Sequence, residues 1–212
     1  MCNEYELVTD LFGHVTFIPL RGRSNKPYKR HVHPDYQAAV VRREGSENVV
    51  DVMRWGFPPD PRRGDGRVQT NIRQPNYALW APYTGIENRA LVPASAFCEW
   101  TDVVVTESGK REKRWFGLSE ERPLFFFAGL WRDWTGTRGP KKAPEEGDHL
   151  IFSFLTTKAN SVVAPIHSKA MPVILTTPEE CEAWLTLPTK EALKLQRPLA
   201  GDLLKIVAPS AV

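Results

Sequence analysis

Apolar and polar residues along this chain fall into short extended blocks, with little of the three-to-four spacing that marks helices. Asn48-Val-Val-Asp-Val-Met53 predicts a strand, and Arg54-Trp-Gly-Phe-Pro-Pro59 ends it at Gly56 and two prolines. Pro58 to Gly66 reads as an exposed, positively charged loop. The block from Arg89 to Trp100 predicts a strand bent at Pro93 and then resumed, continuing through Thr101 to Val105. Ser108-Gly109 then supplies a hairpin turn into Lys113–Leu118. Leu124-Phe-Phe-Phe-Ala-Gly-Leu130 is continuously apolar, as in a strand buried on both faces, and Leu150–Leu155 is a second such run. Between them, Thr135 to Gly147 reads as a connecting loop whose cations Arg138, Lys141 and Lys142 are solvated.

Helical signals are few. Thr177-Pro-Glu-Glu180 offers a threonine cap, proline at the first helical position and glutamate at the third, and Cys181–Leu185 supplies an apolar side. Thr189 to Leu195 predicts a second short helix, and Asn3 to Leu11 a third. No internal repeat or linker interrupts the chain. Many strands and a few short helices predict an α+β, β-rich single domain over residues 1–212.

Composition narrows the class. Of 212 residues, 42% are hydrophobic and 25% charged, enough for a packed core and too apolar for disorder throughout. The net charge of +3 permits an anionic partner without requiring one. There is no apolar run of the roughly 18 residues that a membrane helix needs, and the first residues lack a secretory pattern. Three cysteines do not make a disulfide framework. The expectation is a soluble, cytoplasmic protein without a membrane partner, and a monomer, because no apolar helix stripe asks for a partner. The 18 prolines and 7 tryptophans favour loop-rich β architecture.

Candidate chemistry starts at Cys2. A small residue after the initiator methionine permits its removal, which would leave an α-amine and a thiol on adjacent carbons. Ordinary values of about 7.7–8.0 and 8.5 make both partly nucleophilic near neutrality. Such an aminothiol condenses with an aldehyde through an imine to a thiazolidine. Glu99, between Cys98 and Trp100 at the end of an apolar strand, would have a raised pKa if buried and could then give and take a proton. His167 lies in an irregular segment pinned by Pro165 and Pro172, a better catalytic setting than those of His14, His31, His33 or His149. Asn71 could hold an amine or phosphate without altering its charge, and Arg73 would point the same way on an extended segment. Each residue also has an ordinary structural reading. Metal-ligand spacings, phosphate loops and the G-x-S-x-G elbow are absent from the sequence, so no metal or cofactor is expected.

In this order along the chain, Met1-Cys2, Trp55-Gly56-Phe57-Pro58, Thr70-Asn71-Ile72-Arg73, Arg89-Ala-Leu-Val-Pro93 with Phe97-Cys98-Glu99-Trp100, and Ile166-His167 with Ala170-Met171-Pro172 resemble the SRAP family. These are SOS-response-associated, peptidase-like proteins that attach covalently to abasic sites in single-stranded DNA. The resemblance implies a compact β-rich fold, DNA repair as the setting, and abasic single-stranded DNA as partner. It implies Cys2 as nucleophile, Asn71 as its orienting group, and Glu99 and His167 as acid/base groups. Arg73 would bind phosphate, and Trp55 and Phe57 would shape the groove wall. Family members often begin Cys-Gly-Arg, whereas this chain begins Cys2-Asn3-Glu4, so an anion replaces a phosphate-binding cation. Lys169 could replace a positive charge after the histidine, and Arg62, Arg63 and Arg67 could take over phosphate contacts. A thiol (auto)peptidase using Cys2 and a noncatalytic single-strand binder stay open as alternatives.

Overall fold

The apolar blocks become strands in the computed structural model, which describes residues 2–7, 21–22, 28–29, 31–60, 62, 66–103, 109 and 111–210. In chain order the strands are β1 (Tyr5–Glu6), β2 (Arg21–Gly22), β3 (His31–Val32), β4 (Gln37–Glu44), β5 (Glu47–Trp55), β6 (Asn71–Ile72), β7 (Arg89–Ala94) and β8 (Ala96–Trp100). They continue with β9 (Lys113–Gly117), β10 (Phe125–Arg138), β11 (Glu145–Thr157), β12 (Met171–Pro172) and β13 (Ile174–Leu175). Helices α1 (Pro178–Thr186) and α2 (Thr189–Ala192) precede β14 (Lys205–Val207). The fold is α+β and strand-rich.

One sheet runs β14-β9-β8-β1-β3. The other contains β11-β10-β7-β4-β5, and β11 also pairs in parallel with β5 at Ile151–Arg54 and Phe152–Trp55, which closes these five strands into a barrel. The Leu124–Leu130 run behaves as its pattern predicts. Phe125 and Phe127 enter one apolar cluster, with Tyr5, Trp55, Phe97 and Phe116. Phe126, Ala128 and Leu130 enter the other, with Trp184 and Leu185 of α1. Gly129 sits tightly between them, since a Cβ there would stand 3.0 Å from Val92 Cγ2 and 3.3 Å from the Ala90 carbonyl.

The helix start is as expected: Thr177 Oγ1 accepts the Glu180 amide at 3.2 Å. The far end of α1 is closed from another element. Arg89, 1% exposed, donates to the carbonyls of Trp184 (3.0 Å), Leu187 (2.5 Å) and Thr84 (3.0 Å). Residues 189–195 form α2 and a following 3-10 turn, as expected.

Four expectations need correction. The Arg89–Trp100 block breaks at Ser95, and Pro93 stays in β7 opposite Phe126. Among the described residues β4 pairs with β7 only at Ala90 and Leu91, so Pro93 lies on a strand edge, where proline is tolerated. The strand does not continue past Trp100, because the Thr101 hydroxyl turns back to the Val103 carbonyl at 2.7 Å; residues 104–108 lie outside the described set. The Thr135–Gly147 connection is mostly the end of a long β10–β11 hairpin paired as far as Arg138–Glu145. Its Arg138 is buried, not solvated, and binds Asp35 Oδ1 (2.8 Å) and the Gly56 carbonyl (2.7 Å); Lys141 and Lys142 are exposed as expected. Finally, Tyr5–Glu6 is strand where Asn3–Leu11 read as helix, because Tyr5 pairs with both Val32 and Phe97. Residues 8–11 lie outside the described set. Among the described residues no helix is long and apolar enough to cross a membrane.

Candidate active site

The chain start is fixed by β1, which is hydrogen-bonded on both sides. Cys2 is fully buried, its Sγ donating to the Glu4 carbonyl at 3.3 Å. At the start of β6, Asn71 donates from Nδ2 to the Cys2 carbonyl at 2.9 Å and to Thr70 Oγ1 at 2.8 Å. Its Oδ1 is buried with no hydrogen-bond partner among the described residues. Thr70 is anchored in turn through its carbonyl, which accepts from Trp55 Nε1 at 3.0 Å.

Glu99, on β8, is 2% exposed. Burial pushes its carboxyl up to about 7, against the lowering influence of the chain's positive amino terminus. Its Oε2 lies 3.8 Å from His167 Nε2. That gap is too wide for a direct hydrogen bond.

His167 completes the pair from the 160–170 turn, its amide donating to the Val163 carbonyl at 2.8 Å. Asp102 faces its other nitrogen, with Nδ1 to Oδ1 at 3.1 Å. The Ser168 hydroxyl (2.6 Å) and amide (2.7 Å) both donate to Asp102 Oδ2 and hold its carboxyl down at about 2. An ionised carboxylate at Nδ1 keeps the proton there and leaves the Nε2 lone pair toward Glu99. Burial and the amino terminus lower the imidazole pKa, while Asp102 opposes them. Asp102 was not a sequence candidate. Nothing in its spacing flagged it, because its partners Ser168 and His167 lie more than 60 residues away in the chain.

Burial pushes the Cys2 thiol well above its usual range, and the charge of Glu99 adds to this. The expectation of a partly ionised thiol near neutrality is therefore corrected: it stays protonated until a base takes its proton. The influence of the amino terminus is felt at Cys2, Glu99 and His167 alike, so the three side chains share one electrostatic neighbourhood.

The remaining candidates separate into surface and interior. Arg73 is exposed and lines a cavity of about 370 Å³ together with Asn71. Lys169 is exposed, and its charge is felt at His167. Trp55 (0% exposed) and Phe57 (1%) do not form a groove surface. Trp55 packs on Phe152 and Phe154, and Phe57 on Trp80, so they support the site from within. Glu4 shows what replaces the family's cation: its carboxylate binds Lys113 Nζ at 2.5 Å and lies 3.8 Å from His33 Nε2. A second cavity of about 250 Å³ opens there, lined by Asn3, Glu4, His33, Cys98, Trp100 and Lys113. Cys98 and Cys181 are buried free thiols. Of the other histidines, His31 meets Glu6 at 3.0 Å and His149 meets the Gly136 and Glu145 carbonyls. His14 and Arg63 lie outside the described residues. Among the described residues no three metal-ligating side chains gather at one point.

The fold has solved counterparts. A protein from Bordetella bronchiseptica is similar over 99% of this chain and 100% of its own, at 22% identity and TM-score 0.76. A phage-related protein from the same organism covers 97% and 92% at 18% identity and TM-score 0.69. A protein from Bacteroides thetaiotaomicron covers 84% and 76% at 22% identity and TM-score 0.64. No curated protein sequence matches this chain. Residues 1–210 match the family model described as SOS response associated peptidase (SRAP), and the chain belongs to that family, whose role lies in the SOS response and whose name denotes a peptidase.

Proposed function

We propose that the protein, after loss of Met1, captures the open aldehyde of an abasic site in single-stranded DNA as a thiazolidine on Cys2. The observation that carries the reading is that an amide grips the Cys2 carbonyl (Asn71, 2.9 Å) while the carboxyl whose charge acts on the Cys2 thiol, Glu99, lies 3.8 Å from His167 and has its pKa raised to about 7.

The chemistry follows from the charge states. Burial raises the Glu99 carboxyl into the range where it can both give and take a proton near neutrality. His167 Nε2 takes the proton of the closed sugar's anomeric hydroxyl while Glu99 gives one to the ring oxygen, and the aldehyde opens. The Cys2 amine attacks that carbon and one water leaves, giving an imine. The protonated thiol then adds to the imine carbon as its proton passes, through the Glu99 carboxylate, to the nitrogen. One aldehyde and one aminothiol thus give one thiazolidine and one water, and the reverse path uses the same groups. Arg73 and Lys169 hold the flanking phosphates.

Incubation with an abasic single-stranded oligonucleotide should yield an adduct that survives denaturing electrophoresis, with an intact mass lacking Met1. Cys2→Ser, or a chain extended by one residue at its start, should lose it. An undiminished adduct in either overturns the reading. The family's name favours a second reading, a thiol (auto)peptidase on the same Cys2, which needs the thiol but not a free amine. Peptide cleavage that persists in the extended chain would support that second reading. A binder without covalent chemistry predicts salt-sensitive binding with no preference for abasic over intact strands.

A further inference from the structure

Tyr77 is exposed to 44% and lines the 370 Å³ cavity with Asn71, Arg73, Gln74 and Trp80. Its backbone is held in a turn, its amide donating to the Gln74 carbonyl (3.0 Å) and its carbonyl accepting the amides of Trp80 (2.8 Å) and Ala81 (2.9 Å). The Arg62 guanidinium stands 4.7 Å from the ring centroid. That cation is itself fixed by Asp60, which is buried: Nε meets Oδ1 at 3.0 Å, Nη2 meets Oδ2 at 3.3 Å, and the Arg62 amide meets Oδ1 at 3.0 Å. A buried carboxylate orients the guanidinium, the guanidinium covers the ring, and the ring borders an open cavity that Trp80 also lines.

This stack differs from a phosphate site. Asp60 already balances the Arg62 charge, so Arg62 serves poorly as a phosphate contact and well as a planar backing for an aromatic ring. The group that a cation-backed phenol ring attracts on its open side is another flat π-system. Arg73, on the same cavity, supplies an exposed cation two residues from Asn71, whose amide holds Cys2. We infer that the Arg62–Tyr77 stack is a nucleobase subsite, on which the base next to the abasic sugar stacks while Arg73 takes the phosphate between them. The inference rests on the proposed reaction for the identity of the strand and assigns Arg62 a different task from the phosphate contact expected of it. Every base presents a π-face, so the subsite is indifferent to sequence.

The test uses the full-length protein and single-stranded oligonucleotides that carry one central tetrahydrofuran, a closed-ring abasic analogue that cannot form an imine. The neighbour on the 5′ side, on the 3′ side, or on neither side is also replaced by tetrahydrofuran. Fluorescence anisotropy should show that removing the base on one side weakens wild-type binding by about 5- to 150-fold, the usual worth of one base–aromatic stack, and that removing the other does little. Tyr77→Ala should erase that difference, and Tyr77→Phe, which keeps the ring, should restore it. The inference is overturned if both neighbours matter equally, if neither does, or if Tyr77→Ala weakens all three oligonucleotides by the same factor. Because these ligands cannot crosslink, the result is independent of adduct formation: wild-type protein that stacks the base but never forms an adduct with true abasic DNA removes the proposed reaction and leaves the subsite.

Discussion

Glu99→Gln should stabilise the protein in alkaline solution while disabling its chemistry. The carboxyl is 2% exposed, and burial lifts it from 4.5 to about 7. A carboxyl that holds its proton more tightly folded than unfolded contributes fully to stability below about pH 4.5 and loses that contribution as pH rises through 7. At about 1.36 kcal/mol per pH unit, the span from 4.5 to about 7 is on the order of 3 kcal/mol. Glutamine has nearly the same shape and does not titrate, so it escapes this loss. Urea unfolding of both proteins at pH 4.5, 6, 7 and 8 should show the stability of the variant relative to wild type rising by about 3 kcal/mol across the series and levelling off above 7. In parallel the variant, lacking the proton carrier, should form adduct about 10²- to 10⁴-fold more slowly. A stability difference that stays constant with pH, or a variant less stable than wild type at pH 8, refutes the account of Glu99 as a carboxyl destabilised by burial.

Three further outcomes follow from the geometry. Asp102→Asn removes the charge that raises the His167 pKa, so the imidazole should titrate at lower pH, read by NMR of the ring protons, and adduct formation should slow without loss of fold. Trp55→Ala empties a fully buried ring site between Phe152 and Phe154 and should cost about 3–5 kcal/mol in denaturant unfolding, with little change in the salt dependence of DNA binding. Arg73→Ala should leave stability within about 0.5 kcal/mol and reduce the slope of log affinity against log salt by roughly 0.7, the worth of one phosphate on a single strand.

What the sequence discloses is set by the range of the forces involved. The Phe125–Leu130 strand is legible because burial on both faces writes itself into consecutive residues, and the Thr177 cap because it is satisfied within four positions. The polar arms of the β10–β11 hairpin carry no apolar alternation, so their pairing is invisible until both strands are present. Arg138 reads as a loop cation because its carboxylate, Asp35, lies 103 positions away. The catalytic candidates have no local spacing in common, and only their order along the chain, matched to a family, gathers Cys2, Asn71, Glu99 and His167. The Trp55-Gly56-Phe57-Pro58 block marks a place next to the site but not a direction: both rings turn inward. Asp102 and the Glu4–Lys113 pair come from contacts between residues far apart in the chain, which no short window contains.

The anchoring of β1 has a consequence for the life of the molecule in the cell. Tyr5 and Glu6 run between β3 and β8, and Cys2 is wholly enclosed. Under the proposed reaction Met1 has to leave, and the enzyme that removes it would need access to a residue whose neighbour is enclosed once β1 docks. On that reading, trimming is expected on the nascent chain, before the sheet assembles, and the crosslinking fraction of a preparation would record a race between an exopeptidase and a strand.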